Sequence, residues 1–349
     1  MLKEEKIKMF KEVFDPKPDE KILFLIDTPH NNIKDNDRWM DLRDMAVEWY
    51  NIFKEMGEFI GFSVDMLKYK ATGMHNSPIL DDVLNAVSKF NLVLAMTEFS
   101  ASSSLMPLVK QKGNITRVAS MPQVERRMED TAFKAHYKDL KKYSTAIKNM
   151  LDSAVGAEIL FSTGDKLFID LRNRSGGADT GECRKIGQSI NFPSGEGCIA
   201  PYEGSDDEIE EFGLSKTEGI WPVLYNGELV RYVVKNNVIV DIIGNGEKAK
   251  GMSKFFNEKK SRRNIAELGI GCNPMAVVTG NVLEDEKVGL HIAYGMSTHI
   301  GGKVDSDIHQ DIVYAKGCPV EGTTLILIND DGSKIKLIEN AILRYDLLK

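Results

Sequence analysis

Apolar runs alternate with helical periodicity over the first half of the chain. Three runs have the length and composition of strands, namely Lys21–Asp27, Phe62–Lys68 and Asn91–Met96. Between them, Asp37–Gly57 places apolar residues at helical spacing, and Ile79–Phe90 predicts a second helix. Strands and helices in alternation are typical of a parallel sheet with helices on both faces. We therefore predict an α/β N-terminal domain with a mostly parallel sheet in residues 1–155.

The second half has short apolar runs, dense glycine and repeated turn signals such as Asn226-Gly227. Leu229–Val234 and Val238–Ile243 predict a β-hairpin, and Lys248–Arg263 predicts the one clear helix. This change of pattern places a domain boundary near residue 155. We predict that residues 156–349 form a β-rich α+β C-terminal domain.

Composition narrows the class of protein. The 349 residues are 42% hydrophobic and 28% charged, which is typical of a globular protein with two domains. The net charge of −7 argues against binding to nucleic acid or to an anionic membrane surface. No apolar run reaches the roughly 18 residues of a membrane span, and the N-terminus lacks a signal-peptide core. The four cysteines form no CxxC pair, so we expect reduced thiols in a cytoplasmic protein.

Histidines and acidic residues in the second half suggest a metal site. Three histidines lie within 19 residues of one another: His291, His299 and His309. Residues two apart in a strand share a face, so His309 and Asp311 would point the same way. In the strand predicted at Leu290–Met296, His291 shares its face with an alanine and a glycine, which leave room for an ion. Imidazole and carboxylate groups suit a divalent cation better than a hydrophobic core.

Two glutamates in glycine-rich segments, Glu196 and Glu267, could complete such a site, although each taken alone is better explained as a surface residue. The acidic run Glu284–Lys287 is best explained as a solvated turn. Nucleotide-binding and common hydrolase signatures such as GxGxxG, HExxH and GxSxG are absent. A structural metal site is an alternative, but structural sites usually have a closed cysteine and histidine set, and this oxygen-rich set favours an open catalytic site.

Five segments in the second half resemble a known family in their order along the chain. They are Phe192–Pro201 (FPSGEGCIAP), Ala266–Pro274 (AELGIGCNP), Leu283–Lys287 (LEDEK), His291–Gly295 (HIAYG) and Ile308–Asp311 (IHQD). Together they resemble the metallopeptidase family of aminopeptidase T and aminopeptidase S, the thermophilic metalloproteases. The resemblance covers most of residues 155–315 and implies a homodimeric hydrolase that removes N-terminal residues from peptides. It also implies two divalent ions, zinc, cobalt or manganese, in the C-terminal domain.

Transferred to this chain, the resemblance implies five metal ligands: Glu196, Glu267, His291, His309 and Asp311. Glu196 or Glu267 would also act as general base toward a metal-bound water. The peptidases carry a tyrosine shortly after the HxAxG histidine, and this chain has none there. His299 would take over as a hydrogen-bond donor to an oxyanion, or would serve as a ligand.

The same motifs are also similar to 2,5-dihydroxypyridine dioxygenase, a mononuclear non-haem iron enzyme. In this alternative, His291, His309 and Asp311 would form a two-histidine, one-carboxylate triad for a single Fe(II). Such a triad leaves positions open for oxygen and substrate. The two alternatives differ in whether Glu196 and Glu267 are ligands or only neighbours. A small peptide or another small molecule is the expected substrate.

Overall fold

The computed structural model describes residues 1–349, which pack as two compact units. We call residues 1–138, 181–194 and 274–276 the N-terminal unit, and residues 139–180, 195–273 and 277–349 the C-terminal unit. The domain boundary near residue 155 remains a prediction, because it concerns which parts of the chain fold independently.

The strands and helices follow one another along the whole chain. The strands are β1 Lys21–Thr28, β2 Ser63–Lys70, β3 Leu92–Ala95, β4 Arg117–Ser120, β5 Ala154–Phe161, β6 Lys166–Asp170, β7 Gly177–Asp179, β8 Ser189–Asn191, β9 Glu196–Ile199, β10 Glu218–Tyr225, β11 Glu228–Lys235, β12 Val238–Ile243, β13 Ile265–Gly271, β14 Leu290–Gly295, β15 His309–Val313, β16 Gly322–Asn329, β17 Lys334–Glu339 and β18 Ile342–Leu343. The α-helices are α1 Lys3–Phe14, α2 Asp37–Ile60, α3 Asp81–Val87, α4 Ser102–Lys110, α5 Tyr137–Ser153, α6 Asp206–Phe212, α7 Glu247–Glu258 and α8 Val282–Asp285. None of the helices has both the length and the apolar content that a membrane crossing requires.

The N-terminal unit contains a parallel sheet of five strands in the order β2-β1-β3-β4-β8. Strand β1 is buried from Ile22 to Asp27, as expected for an inner strand whose two faces are both covered. Helix α2 begins where the Asn36 side chain accepts a hydrogen bond from the Trp39 N–H. It ends at Gly61, which has a positive φ of 98°. The predicted parallel sheet is confirmed.

The C-terminal unit contains two antiparallel sheets. The large sheet has the order β12-β11-β10-β6-β5-β16-β17-β18, and the small sheet has the order β15-β14-β13-β9-β7. The predicted hairpin is present as β11 and β12, and the predicted helix is α7 followed by a 3₁₀ turn at Lys260–Arg263. A β-rich α+β arrangement in this part of the chain agrees with the prediction.

Both antiparallel sheets contribute one apolar face to a single buried cluster. Leu268 and Ile292 of the small sheet belong to it, together with Trp221 and Leu325 of the large sheet. Because side chains alternate along a strand, the neighbouring residues of the small sheet must point to its other face. That other face carries the histidines and carboxylates described next.

Candidate metal centre

Strand register brings the acidic and histidine residues into adjacent rows on the small sheet. Glu267 of β13 pairs with Ala293 of β14, and Ala293 pairs with Asp311 of β15. On one side of this row, His291 of β14 pairs with Gly269 of β13. On the other side, His309 of β15 pairs with Gly295 of β14. Directly paired residues of antiparallel strands share a face. Small residues therefore separate the ligand candidates and leave space between them.

Glu267 lies at the middle of this cluster. Its Oε2 is 3.1 Å from His309 Nε2, and its Oε1 is 3.7 Å from His291 Nε2. His309 Nε2 is also 3.4 Å from Asp311 Oδ1. Two overlapping sets of side chains have the spacing to hold a metal ion, and both include Glu267; they are Glu267, His291 and Asp311, and Glu267, His299 and His309. Of the residues singled out from the sequence, the structure gathers all but Glu196 into these sets.

Backbone carbonyls orient the two central histidines. Nδ1 of His309 is 2.7 Å from the Met296 carbonyl, and Nδ1 of His291 is 3.3 Å from the Gly289 carbonyl. A carbonyl accepts a hydrogen bond from a protonated Nδ1, which leaves Nε2 as the ligand atom. This arrangement is usual for histidines that bind metals.

The charged groups of the cluster stabilise one another. Burial alone would raise the pKa of Glu267, but its hydrogen bonds with His291 and His309 outweigh burial and hold the pKa well below its ordinary value. Burial would lower the pKa of His291, but Glu267 and Glu196 raise it to about 9. A divalent cation bound here would displace protons from the histidines.

Glu196 lies between His291 and a buried lysine. Its Oε1 is 2.7 Å from Lys287 Nζ, while its Oε2 is 3.4 Å from His291 Nε2 and has no hydrogen-bond partner. Lys287 is fully buried and also contacts Glu286 Oε1 at 2.8 Å. The prediction of a solvated turn at Glu284–Lys287 is therefore wrong, because opposite charges from this segment and from β9 meet inside the protein.

His299 reaches the cluster on a short loop. Its ring lies edge-on to the ring of His309, with centroids 4.5 Å apart. Glu203 anchors the loop: its Oε1 accepts hydrogen bonds from the Ser297 hydroxyl and from Asn264 Nδ2, and its Oε2 accepts one from the Lys303 backbone N–H at 2.6 Å. Neither Glu203 nor Lys287 was identified from the sequence, where no local pattern distinguishes them from surface residues.

Gly269 is the residue whose substitution should disturb His291 most directly. A Cβ at Gly269 would lie 1.9 Å from His291 Nε2, so the ring would have to move. We expect Gly269→Ala to weaken metal binding by roughly 10- to 100-fold, the range seen when a ligand histidine is misoriented. Titration with Mn²⁺ would measure the loss. Gly251→Ala is the control, because Gly251 lies in α7 with open space at its Cβ; it should keep full affinity, and equal affinity in the two variants would contradict the expectation.

The Glu203 network extends to Glu208, which gives the fold a dependence on pH. Burial would raise the pKa of Glu208, but hydrogen bonds from Arg174 and from the Ser205 backbone N–H outweigh burial and lower the pKa to about 2. A carboxyl with a lowered pKa stabilises the fold above its unfolded value of about 4.3, and that stabilisation is lost as the pH falls toward 2.

We expect Glu208→Gln to lower the free energy of unfolding by about 1–2 kcal/mol at pH 7, after allowance for solvent screening. The difference from the unchanged protein should shrink as the pH falls from about 4 toward 2, because the glutamate is protonated in the unfolded chain first and in the folded protein only near pH 2. Denaturant unfolding at several pH values would measure this. Glu210→Gln, at an exposed position of the same helix, should show no such dependence. A difference for Glu208→Gln that stays constant with pH would contradict the assignment.

Comparison with known proteins shows what this chain is similar to. A protein-family model described as NicX: 2,5-dihydroxypyridine 5,6-dioxygenase matches residues 63–321. A solved structure of 2,5-dihydroxypyridine dioxygenase from Pseudomonas putida has a TM-score of 0.68 and 16% sequence identity, and the match covers 98% of each chain. At this identity the likeness shows the fold alone. No curated protein sequence matches the chain.

These findings overturn the prediction of a metallo-aminopeptidase. Neither the family model nor the similar structure is a peptidase, so the expected peptide hydrolysis is wrong, as is the classification as a hydrolase and protease. The physical reason is that the five motifs specify glycine-flanked carboxylates and imidazoles. Such groups hold divalent cations for several chemistries and do not determine the reaction. The comparisons support the second resemblance, to the dioxygenase.

Proposed function

The chain belongs to the NicX family of 2,5-dihydroxypyridine 5,6-dioxygenases, and we propose that it is a mononuclear non-haem iron dioxygenase that opens the ring of a dihydroxylated pyridine. One observation carries the proposal. Both ligand sets share Glu267, whose carboxylate lies 3.7 Å from His291 and 3.1 Å from His309, while Lys287 lies between the neighbouring Glu196 and Glu286.

The residues present fit one Fe(II). Glu267, His291, His309 and Asp311 would hold it, because imidazole and carboxylate groups are the ligands typical of non-haem iron sites with open positions. Two further features support the fit. The His291 ring occupies the space that a side chain at Gly269 would fill. The buried Oε2 of Glu196 faces His291 and has no hydrogen-bond partner. Compared with the expected triad of His291, His309 and Asp311, this set adds Glu267.

When bound, the iron would supply the redox chemistry that allows dioxygen to react with an aromatic ring. The protein would supply orientation and proton transfer. The Met296 and Gly289 carbonyls fix the two ligand histidines, and Glu203 fixes the loop that carries His299. The ring of His299 lies beside that of His309, and the residue belongs to a loop rather than to a strand of the sheet. It is not one of the four iron ligands named above, so we assign it to take the proton of a substrate hydroxyl.

Oxygen consumption would test the proposed activity. Protein loaded anaerobically with Fe(II) and given 2,5-dihydroxypyridine should consume one molecule of oxygen for each substrate molecule. With isotopically labelled oxygen gas, the product should carry both labelled atoms by mass spectrometry. Protein loaded with zinc is the control and should be inactive. Protein that holds one iron per chain but consumes no oxygen with this substrate would contradict the proposal.

A further inference from the structure

His299 lies on a loop that is closed on itself at Ser297. The loop runs from Ser297 to Val304, and these two residues bond to each other: the Ser297 N–H donates to the Val304 carbonyl at 2.9 Å, and the Val304 N–H donates to the Ser297 hydroxyl at 3.2 Å. The Ser297 carbonyl also accepts hydrogen bonds from the Ile300 and Gly302 N–H groups, both at 3.0 Å. Ser297 therefore forms the neck of the loop and also bonds to its tip.

The groups around the neck hold Ser297 in place. Ser297 is fully buried, and its hydroxyl donates a hydrogen bond to Glu203 Oε1. Asn264 Nδ2 donates to the same oxygen and to the Gly295 carbonyl, each at 3.0 Å, so the carboxylate is tied to the end of β14. A Cβ added at Gly302 would lie 2.3 Å from Ser297 Oγ and 3.0 Å from Glu203 Oε1. Any side chain at this glycine would therefore displace the hydroxyl.

The part of the chain that returns from the loop to β15 is held as well. Asp307 accepts hydrogen bonds from Arg262 Nε at 3.0 Å and from Arg262 Nη2 at 2.8 Å. The Ser261 hydroxyl donates to the Ser306 hydroxyl at 3.1 Å. Both contacts join this part of the chain to the 3₁₀ turn at Lys260–Arg263. A loop that is bonded at its neck and along its return is a preformed support, since mobile loops have few such contacts.

We propose that Ser297 is a positioning residue for His299. Held by Glu203, it keeps the His299 ring beside His309, with ring centroids 4.5 Å apart, before any substrate binds. The inference rests on the proposed function, in which His299 takes the proton of a substrate hydroxyl, and it names the residue that holds this proton acceptor in place. A misplacement of about 1 Å can cost on the order of 100-fold in rate, so the neck of the loop should matter for turnover.

The position of the His299 ring can be measured in protein loaded with Co²⁺, without any assay of activity. The paramagnetic ion shifts the ring-proton signals of nearby histidines, and a chain with six histidines gives a simple spectrum. His299→Ala identifies the signal of His299. In Ser297→Ala we expect that signal to move toward its place in zinc-loaded protein, while the signals of His291 and His309 stay shifted. A His299 signal that Ser297→Ala leaves unmoved would overturn the inference.

A second variant covers the case in which Ser297→Ala does not fold. Gly302→Ala removes no polar group, but its methyl group would push Ser297 away from Glu203, so the His299 signal should move in the same way. Thr298→Ala is the control, because Thr298 is an exposed residue of the same turn, and it should leave the signal in place. An unmoved His299 signal in folded Gly302→Ala protein would equally contradict the inference.

Turnover of 2,5-dihydroxypyridine by iron-loaded protein gives an independent readout. Ser297→Ala should lower kcat by about 10- to 100-fold and leave KM and iron content nearly unchanged, because the proton acceptor acts in the reaction step. A variant that instead loses its iron would show a purely structural role and would overturn the inference. If the unchanged protein holds iron but does not attack this compound, the proposed function is refuted, while the Co²⁺ spectra still decide whether Ser297 positions His299.

Discussion

Replacing His309 by alanine is expected to abolish iron binding and dioxygenase activity while leaving the fold intact. His309 is the histidine that contacts both carboxylates of the cluster, Glu267 at 3.1 Å and Asp311 at 3.4 Å. It lies on β15, an edge strand whose residues are only half-buried. Removing the ring should therefore take little packing from the apolar core. We expect metal affinity to fall on the order of 100-fold or more.

Iron content after anaerobic loading and desalting would measure this effect, with circular dichroism as the check on folding. His136→Ala is the matched control, since His136 is exposed in the N-terminal unit and belongs to neither ligand set. The control should hold as much iron as the unchanged protein and show the same turnover. Iron and turnover retained by His309→Ala would mean that the ion lies elsewhere.

Features of the fold that depend on local sequence were predictable. Strand β1 needs an unbroken apolar run because both of its faces are covered, and that run is visible in the sequence. The β11–β12 hairpin turns at Asn236 and Asn237, which adopt positive φ values of 52° and 65° that asparagine tolerates. The shared face of His309 and Asp311 follows from the two-residue period of a strand.

Features that depend on distant contacts were not predictable. Four charged residues in succession, Glu284–Lys287, have the pattern of an exposed turn, yet they are buried because Lys287 meets Glu196, which is far away in the sequence. Glu203 likewise acts on Ser297 and Lys303 only after folding has brought them together. The reaction was missed for a different reason: carboxylates and imidazoles that can hold a divalent cation serve several chemistries, and the motifs do not specify which one.

The two glutamates identified from the sequence should respond differently to loss of their charge. We expect Glu267→Gln to lose iron and activity, with affinity reduced about 100-fold or more. Both of its carboxylate oxygens face histidine nitrogens, and glutamine would replace one oxygen by an NH₂ group that cannot bind a cation. The measurement is competition for Fe(II) against a chelator of known affinity.

Glu196→Gln should instead keep one iron per chain and most of its turnover, because one Glu196 oxygen is committed to Lys287. Its cost should fall on stability, since Lys287 would keep only Glu286 as a partner inside the protein. Breaking a buried ion pair costs roughly 3–5 kcal/mol, which denaturant unfolding would detect. If Glu196→Gln lost its iron and Glu267→Gln kept it, the ion would have to lie on the Glu196 side of His291.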